Sequence, residues 1–501
     1  MATPSDAAGD ERLHPTSLFF SIGPAARALL LPGLFVLIAA RGSFWQYPLM
    51  LLFIPAVASA LARYWSYRYR LEPDELVIRE GIVTRNERHV PYSRIQNIDL
   101  RQNPLHRLLR VTEVRVETAG GEKPEAVMRV LSLEAVERMR SRVFRGRLAT
   151  APGAGDPGVR SGAELAESAI VHRLTPGDVV LFGVISNKGM VVVAALLGAL
   201  WQFDLFDRLG AWITPQQFQR LQRIRAPHGI GSAALLVAGA LVLLVVVMRL
   251  LSVAWALLRF HDFRLERRGE DLRVEHGLLT RVSTTIPRHR VQVLLCRAGP
   301  LHRLCDRSSL QVQTAGGGAE GEGGTGRAWL APVARAADVA RLVREVLPDL
   351  PLDGLAWQPV SPRARRRILR ISLVTLGAAL AGASATFGVG ALLAAPPLLV
   401  LAWLNAKLYV RHAAYALAPG AVVQRSGWWV RSLRVARFAK IQSVEQTESP
   451  FDRRQRMAAV RVDTAGARQL GGLAVSFLDA EVAARLRSRL ADEAARTSFR
   501  W

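Results

Sequence analysis

Two arginines recur at matching positions in three similar stretches of the chain, and their chemistry predicts an anionic ligand. One lies shortly after a glycine, and the other lies shortly after a proline. The residues are Arg85, Arg281 and Arg431 after the glycine, and Arg107, Arg303 and Arg453 after the proline. A planar guanidinium donates paired hydrogen bonds that suit a phosphate or a carboxylate. These six are the candidate residues for ligand or partner binding; a structural role, such as an ion pair to Glu113 or Glu117, is the alternative interpretation.

No group of residues has a spacing that predicts catalysis. His106 and His302 share the motif PLHRL, but Asp452 replaces them in the third copy, and no second histidine or cysteine accompanies them at metal-ligand spacing. The two cysteines, Cys296 and Cys305, stand where the first copy has leucines, which indicates small core hydrophobes. Phosphate-loop, nucleophile-elbow and zinc-protease motifs do not occur. We therefore predict no catalytic site, no cofactor, no metal and no enzymatic activity.

The arginines belong to a longer pattern that runs, with identical spacing in each copy, from a glycine to a Thr-Ala-Gly. Identical spacing in three copies indicates that one unit has been triplicated. We predict that the other matched residues determine the fold through bends, helix starts and hydrogen bonds. They are Gly81, Gln96, Pro104, Thr118 and Gly120; Gly277, Gln292, Pro300, Thr314 and Gly316; and Gly427, Gln442, Pro450, Thr464 and Gly466.

Each unit is predicted to be mostly β. The stretch VTEVRVETAGG places Val114 and Val116 on one face and Glu113, Arg115 and Glu117 on the other, and its glycines end the strand in a turn. An amphipathic helix closes each unit; in the first copy it begins near Ser132. Strands followed by one helix favour a small sandwich or a partly open barrel with the helix at one end.

Six uncharged apolar stretches in three pairs precede the β-rich blocks, and a spanning helix needs about 20 such residues. We predict three transmembrane helical hairpins, six helices in all, alternating with three small domains. The predicted boundaries are a tail at 1–20; hairpins at 21–63, 181–258 and 368–406; domains at 64–150, 259–350 and 407–495; and linkers at 151–180 and 351–367.

The chain of 501 residues has 66 Lys and Arg against 41 Asp and Glu, a net charge of +25, which predicts an anionic partner. Arginines concentrate beside the apolar stretches, so the positive-inside rule places the domains and both termini in the cytoplasm, and nucleic acid is not expected as a partner. The basic connection at 202–230 fits this topology only if TPQQFQRLQRIRAPHG lies along the outer membrane surface as an amphipathic helix. No cleaved signal peptide is predicted.

The stretch RIQNIDLRQNPLHRLLRVTEVRVETAGG, Arg94 to Gly121, resembles the signature of the bacterial pleckstrin-homology-like (PH-like) domain family, formerly called the membrane-flanked domain. The resemblance is weaker in the third copy, where SPFDRRQR departs from NPLHRLL. It implies a seven-stranded, orthogonally packed β-sandwich capped by a C-terminal helix. It implies no particular ligand, because this fold binds lipids, peptides or proteins.

The leading hypothesis is a non-enzymatic scaffold of the cell membrane whose tethered domains bind partner proteins and, as a further ligand, anionic phospholipid. The partners are expected to be other membrane proteins, a paralogous membrane-flanked-domain protein among them. The alternative hypothesis is membrane transport, or export of a toxic compound, through the six helices; the apolar cores carry none of the charges that such pathways usually need. The sequence leaves homo-oligomerisation open.

Overall fold

The computed structural model describes most of the three β-rich blocks and part of the apolar segments. The described residues are 11–12, 65–81, 85–92, 95–118, 126–132, 134–139, 169–186, 198, 229–314, 327–351, 354–464 and 472–496. The chain divides into two compact units. The larger comprises residues 1–171, 265–274 and 282–501, and the smaller comprises 172–264 and 275–281.

Antiparallel strands make up each repeat. In the first repeat they are β1 (Glu11–Arg12), β2 (Arg68–Leu71), β3 (Glu75–Glu80), β4 (Asn86–Pro91), β5 (Ile95–Gln102), β6 (Val111–Thr118) and β7 (Ala126–Ser132). In the second they are β8 (Ala169–Arg173), β9 (Arg264–Arg268), β10 (Asp271–His276), β11 (Arg281–Pro287), β12 (Val291–Ala298), β13 (Arg307–Thr314) and β14 (Arg327–Arg335). In the third they are β15 (Gln358–Pro359), β16 (Ala414–Ala418), β17 (Ala421–Ser426), β18 (Arg431–Arg437), β19 (Ile441–Thr447), β20 (Met457–Thr464) and β21 (Leu473–Asp479).

The helices fall into short helices of the repeats, closing helices, long apolar helices and one shorter apolar helix, α2. They are α1 (Pro104–Leu108), α2 (Pro176–Ile185), α3 (Gly229–Phe260), α4 (Pro300–Leu304), α5 (Ala336–Val346), α6 (Ala364–Phe387), α7 (Ala395–His412), α8 (Pro450–Arg454) and α9 (Ala480–Arg496). Residues 134–139 are also helical.

Each repeat thus has seven strands and a closing helix, as the resemblance implied. In the third repeat, residues of the first four strands and of the last three strands form one core. Leu486 and Leu490, on the inner face of α9, are buried in the same core. In the first repeat, Ala135, Val136 and Met139 of the helical segment 134–139 join the corresponding core. The prediction of three β-sheet-rich domains is confirmed.

The sheets do not stop at the repeat boundaries. Among the described strands the four sheets have the orders β1-β2-β3-β4, β7-β6-β5-β11-β10-β9-β8, β14-β13-β12-β18-β17-β16-β15 and β19-β20-β21. The last three strands of one repeat therefore continue the first four strands of the next. Between β12 and β18 the register runs from Val293 opposite Ala436 to Ala298 opposite Arg431.

The first strand of each repeat precedes the apolar segments in sequence, and the second strand follows them. Glu11 of β1 pairs with Tyr69 of β2, and Gln358 of β15 pairs with Tyr415 of β16. The apolar segments are thus insertions between two neighbouring strands. The predicted tail at 1–20 and the predicted linkers at 151–180 and 351–367 each contain one of these first strands, which the sequence did not indicate because strands of two to five residues are too short to show alternation.

Three described helices are long and apolar enough to cross a membrane, over Leu241–Phe260, Ala364–Thr386 and Val389–His412, the last beginning with a 3-10 turn. The two helices of the third predicted hairpin extend beyond the predicted bounds 368–406, because the basic first turn of α6 and the polar last turn of α7 are also helical. Arg365 near the start of α6 lies 5.6 Å from the ring of Trp403 on α7. The predicted hairpin 21–63, and residues 187–228 of the second hairpin apart from residue 198, lie outside the described part of the chain.

In the smaller unit, α2 packs closely against α3. A methyl group added at Gly183 would lie 2.5 Å from the Cα atom of Val253. The Ser186 and Ser252 hydroxyl groups, both buried, lie 2.9 Å apart. Arg249 of α3 donates hydrogen bonds to the carbonyl oxygens of Val184 (2.8 Å) and Ser186 (3.1 Å) at the end of α2. The apolar helix α3 therefore continues through the charged Arg249, because the end of α2 supplies hydrogen-bond acceptors for that charge.

Candidate functional site

The repeated glycine occupies a turn that no other residue fits. Gly81, Gly277 and Gly427 have φ angles of +100°, +115° and +76°. A Cβ atom would lie 2.0 Å from the Thr280 carbonyl oxygen in the second repeat, and 2.2 Å from that of Val430 in the third. Both the backbone conformation and the close approach require glycine.

In the second and third repeats, the turn after this glycine contacts the helix that precedes the domain. The backbone N–H of Leu278 donates to the Leu258 carbonyl oxygen at 3.0 Å. In the third repeat, Trp428 Nε1 donates to Asn405 Oδ1 on α7 at 2.7 Å, and Trp429 beside it is 60% exposed. An exposed tryptophan near the end of an apolar helix is typical of the membrane–water interface.

Beside this turn lies a cleft of about 140 Å³ at the junction of the second and third repeats. The junction exists because Cys296, Arg297 and Ala298 of β12 pair with Leu433, Ser432 and Arg431 of β18. The cleft is lined by Cys296, Ala298, His412, Arg425, Ser426, Gly427, Arg431, Ser432 and Leu433. We call it the junction cleft.

The junction cleft is strongly basic. Arg303, Arg411, Arg425 and Arg431 all lie within electrostatic range of His412 at the end of α7. Arg303 Nη2 donates to the Trp429 carbonyl oxygen at 3.2 Å, while its Nε is buried and has no hydrogen-bond partner within the described part of the chain. Because like charges are gathered around a small space, an anion bound there would gain from every one of them.

The structure brings together two of the six candidate arginines, Arg303 from the second repeat and Arg431 from the third. The side chains of Arg85, Arg107 and Arg453 are exposed at other places. Arg281 is exposed as well and donates to Glu275 Oε2 at 2.8 Å. Of the six arginines, Arg431 alone lines the junction cleft, and Arg303 lies near enough to act on the same His412.

The other repeated residues that the structure describes lie at helix starts or in strands. Pro104, Pro300 and Pro450 are the first residues of α1, α4 and α8, where a missing N–H costs nothing. Gln292, Thr314 and Thr464 are buried, whereas Gln442 is exposed. Gly120, Gly316, Gly466 and the side chains of Gln96 and Thr118 lie outside the described part.

His106, the histidine of the first PLHRL motif, caps its own short helix. The backbone N–H of Asn103 donates to His106 Nδ1 at 3.3 Å, and that of Ser449 donates to Asp452 Oδ2 at the same distance. Histidine and aspartate are exchangeable at this position because either accepts the N–H that precedes the helix. Among the described residues no three His, Cys, Asp or Glu side chains form a group that could hold a metal ion.

Sequence reasoning missed a buried basic position two residues before the repeated glutamine. Arg290 and Lys440 are 4% and 5% exposed. Burial lowers the pKa of Lys440, and the charges of Arg437 and Arg290 lower it further. The signal was the basic residue at this position in all three copies, Arg94 being the first.

Comparisons with known proteins identify the repeated unit. The Bacterial PH domain family matches three segments of the chain, residues 18–147, 226–347 and 371–494. The chain is also similar to UPF0699 transmembrane protein YdbT of Bacillus subtilis (strain 168), with 24% identity over 328 residues, 62% of this chain and 63% of the relative. It therefore aligns with less than two thirds of that relative's length. No solved structure gives a significant match. The chain belongs to the Bacterial PH domain family, and it is a membrane protein that carries this domain three times.

Proposed function

We propose that the protein is a non-enzymatic scaffold of the cell membrane. Its three PH-like domains and both chain ends lie on the cytoplasmic side, where the domains bind partner proteins and hold anionic phospholipid headgroups. The observation that carries this proposal is the junction cleft, a basic site at the end of an apolar helix. The family is a non-catalytic domain type, which supports a binding function.

The position of the junction cleft favours a headgroup phosphate as its ligand. His412 is the last residue of α7, and Trp429, which accepts the Arg303 hydrogen bond, is in the exposed turn beside that helix. Basic residues near an anionic leaflet gain about 1 kcal/mol each. The cleft thus combines cationic groups with an interfacial aromatic residue.

Scaffolding follows from the repetition of one binding fold within a single chain. Weak sites that are joined by short tethers engage one assembly far more tightly than separate sites do. The partner proteins are proposed to be membrane proteins, because such proteins and the tethered domains are held at the same membrane surface.

The cytoplasmic side is supported by sequence and by strand pairing. Arg365, Arg366 and Arg367 open α6, and Lys407 and Arg411 lie near the end of α7. Basic residues of this kind concentrate at cytoplasmic helix ends. Because β15 pairs with β16, the beginning of α6 and the end of α7 face the same side.

Headgroup binding is tested on the full-length protein in phosphatidylglycerol nanodiscs. After transfer into neutral detergent, the retained phosphatidylglycerol is counted by mass spectrometry. The variant Arg425→Glu/Arg431→Glu should retain less lipid than the parent, whereas the matched control Arg281→Glu, an exposed arginine outside the junction cleft, should equal the parent. Displacement by inorganic phosphate shows that the site takes the phosphate group alone. Equal retention by the parent and the double variant would contradict the proposal.

The side of the membrane is tested with the native cysteines. Cys305 is exposed and free, whereas burial raises the pKa of Cys296 to about 11, which slows its reaction with thiol reagents. A membrane-impermeant maleimide should label inverted membrane vesicles and leave intact cells unlabelled. Cys305→Ser should abolish the labelling. Labelling of Cys305 in intact cells would overturn the cytoplasmic placement.

A further inference from the structure

Where two repeats meet, an edge strand of one repeat pairs with an edge strand of the next. The first and third repeats each have one such edge strand that lacks this partner among the described strands. Strand β5 of the first repeat pairs with β11 of the second, and β12 of the second pairs with β18 of the third. The strand that corresponds to β5 and β12 in the third repeat is β19. The strand that corresponds to β11 and β18 in the first repeat is β4. Among the described strands, β19 has only β20 as a neighbour and β4 has only β3.

Burial changes with this pairing. Residues 291–295 of β12, the strand that pairs with β18 of the third repeat, are all buried. In β19 only Ile441 is buried, and in β4 the four residues Asn86–His89 are exposed. The same strand position is thus apolar and paired where two repeats meet, but it is polar and, among the described strands, lacks a second neighbour in the first and third repeats.

We propose that β19 of one copy pairs with β4 of a second copy, so that the sheet continues from chain to chain as it does from repeat to repeat. The occupant of each open edge is another copy of this protein. The contact is head-to-tail, because it joins two different surfaces.

The register within the chain specifies which residues would meet. Leu295 opposes Arg434, and Ala298 opposes Arg431. Glu445 and Glu448 have the positions of Leu295 and Ala298 in the third repeat, counted from the turn glycine. Arg88 and Arg85 have the positions of Arg434 and Arg431 in the first repeat. Glu445 would therefore face Arg88, and Glu448 would face Arg85.

The two facing pairs are complementary in charge, and all four residues are exposed. Opposite charges placed directly across two strands stabilise the pairing, whereas like charges destabilise it. Charged edges also prevent indiscriminate pairing with other strands. The same polar side chains thus select one partner edge. This gives a binding role to Arg85, which lies far along the chain from the junction cleft.

The test uses the full-length protein in detergent, with self-association measured by fluorescence energy transfer between labelled copies over a range of concentrations. The parent should associate. Glu445→Arg and Arg88→Glu should each raise the apparent dissociation constant about tenfold. The combined variant Glu445→Arg/Arg88→Glu should return to within about twofold of the parent, because the facing charges are again opposite.

The matched control is Arg489→Glu, an exposed arginine on α9, which should leave association unchanged. A parent that stays monomeric, or single variants that associate like the parent, would overturn the proposal. Failure of the combined variant to restore association would also overturn it, because a general loss of folding is not repaired by a second charge reversal.

Discussion

Trp428 Nε1 donates a hydrogen bond to Asn405 Oδ1 at 2.7 Å, which joins the β17–β18 turn of the third repeat to α7. The turn glycine, Gly427, precedes this contact directly. A domain that is fixed to its membrane helix in this way keeps its basic junction cleft at the helix end.

The first prediction concerns this contact. Trp428→Phe should lower the stability of the third repeat by about 1 kcal/mol, because it removes one hydrogen bond and keeps an aromatic ring. Thermal unfolding of the purified protein in detergent measures the change. Trp429→Phe is the control and should have little effect, since Trp429 is mostly exposed. Equal losses in both variants would show that the hydrogen bond contributes nothing.

The second prediction separates two reasons for glycine at a turn. Gly427 and Gly420 have nearly equal φ angles, +76° and +75°, but only at Gly427 would a Cβ meet a carbonyl oxygen. Gly420→Ala should cost about 1 kcal/mol for the left-handed conformation alone. Gly427→Ala should cost clearly more, as measured by the midpoint of thermal unfolding. Similar costs for both substitutions would remove the close approach as a cause.

The third prediction concerns pH and His276. Burial and, to a smaller extent, the nearby charge of Arg259 lower the pKa of His276 to about 4, against the opposing effect of a hydrogen bond to the Arg259 carbonyl oxygen (2.9 Å). The unfolded chain therefore binds a proton at higher pH than the folded chain does. Stability should fall as the pH decreases from about 6.5 to about 4, by a total on the order of 3 kcal/mol.

Replacement of this imidazole should remove its part of the pH dependence. In His276→Gln the unfolding midpoint should depend less steeply on pH between about 6.5 and 4 than in the parent. The control His261→Gln, at an exposed histidine, should keep the slope of the parent. If His276→Gln showed the full slope of the parent, other groups would account for the acid sensitivity.

The fourth prediction concerns the contact of α2 with α3. Gly183→Ala should destabilise the smaller unit by about 1–3 kcal/mol, because the new methyl group would collide with the Val253 backbone. Gly377→Ala on α6 should be neutral or slightly stabilising, because no heavy atom lies within 4 Å of the added carbon. Unfolding followed by tryptophan fluorescence compares the two. A neutral Gly183→Ala would mean that the helices separate freely.

Much of the repeat could be predicted from the sequence because its determinants are local. A glycine with a positive φ and a proline at the start of a helix each depend on a few neighbouring residues. The exchange of His106 for Asp452 has an equally local reason, although only the structure identified it as helix capping. Identical spacing in three copies then predicted the triplication, which the family match confirms.

The junction cleft and the continuous sheets could not be predicted, because both depend on contacts between repeats. Arg303 and Arg431 are about 130 residues apart, and their sequence positions alone gave no reason to pair them rather than Arg303 with Arg281. Similarly, the apolar composition of β12 fits a buried strand, but it does not reveal that β18 covers it. Strands as short as Gln358–Pro359 have no periodicity to detect.

The placement of β15 before α6 and of β16 after α7 has a consequence for biosynthesis. The ribosome synthesises β15 first, then about fifty residues that contain both long helices, and only then the partner strand β16. The sheet can therefore close only after both helices have left the ribosome. A chain whose helices fail to return to the same side leaves β15 without its partner, so correct insertion is a condition for completing the domain.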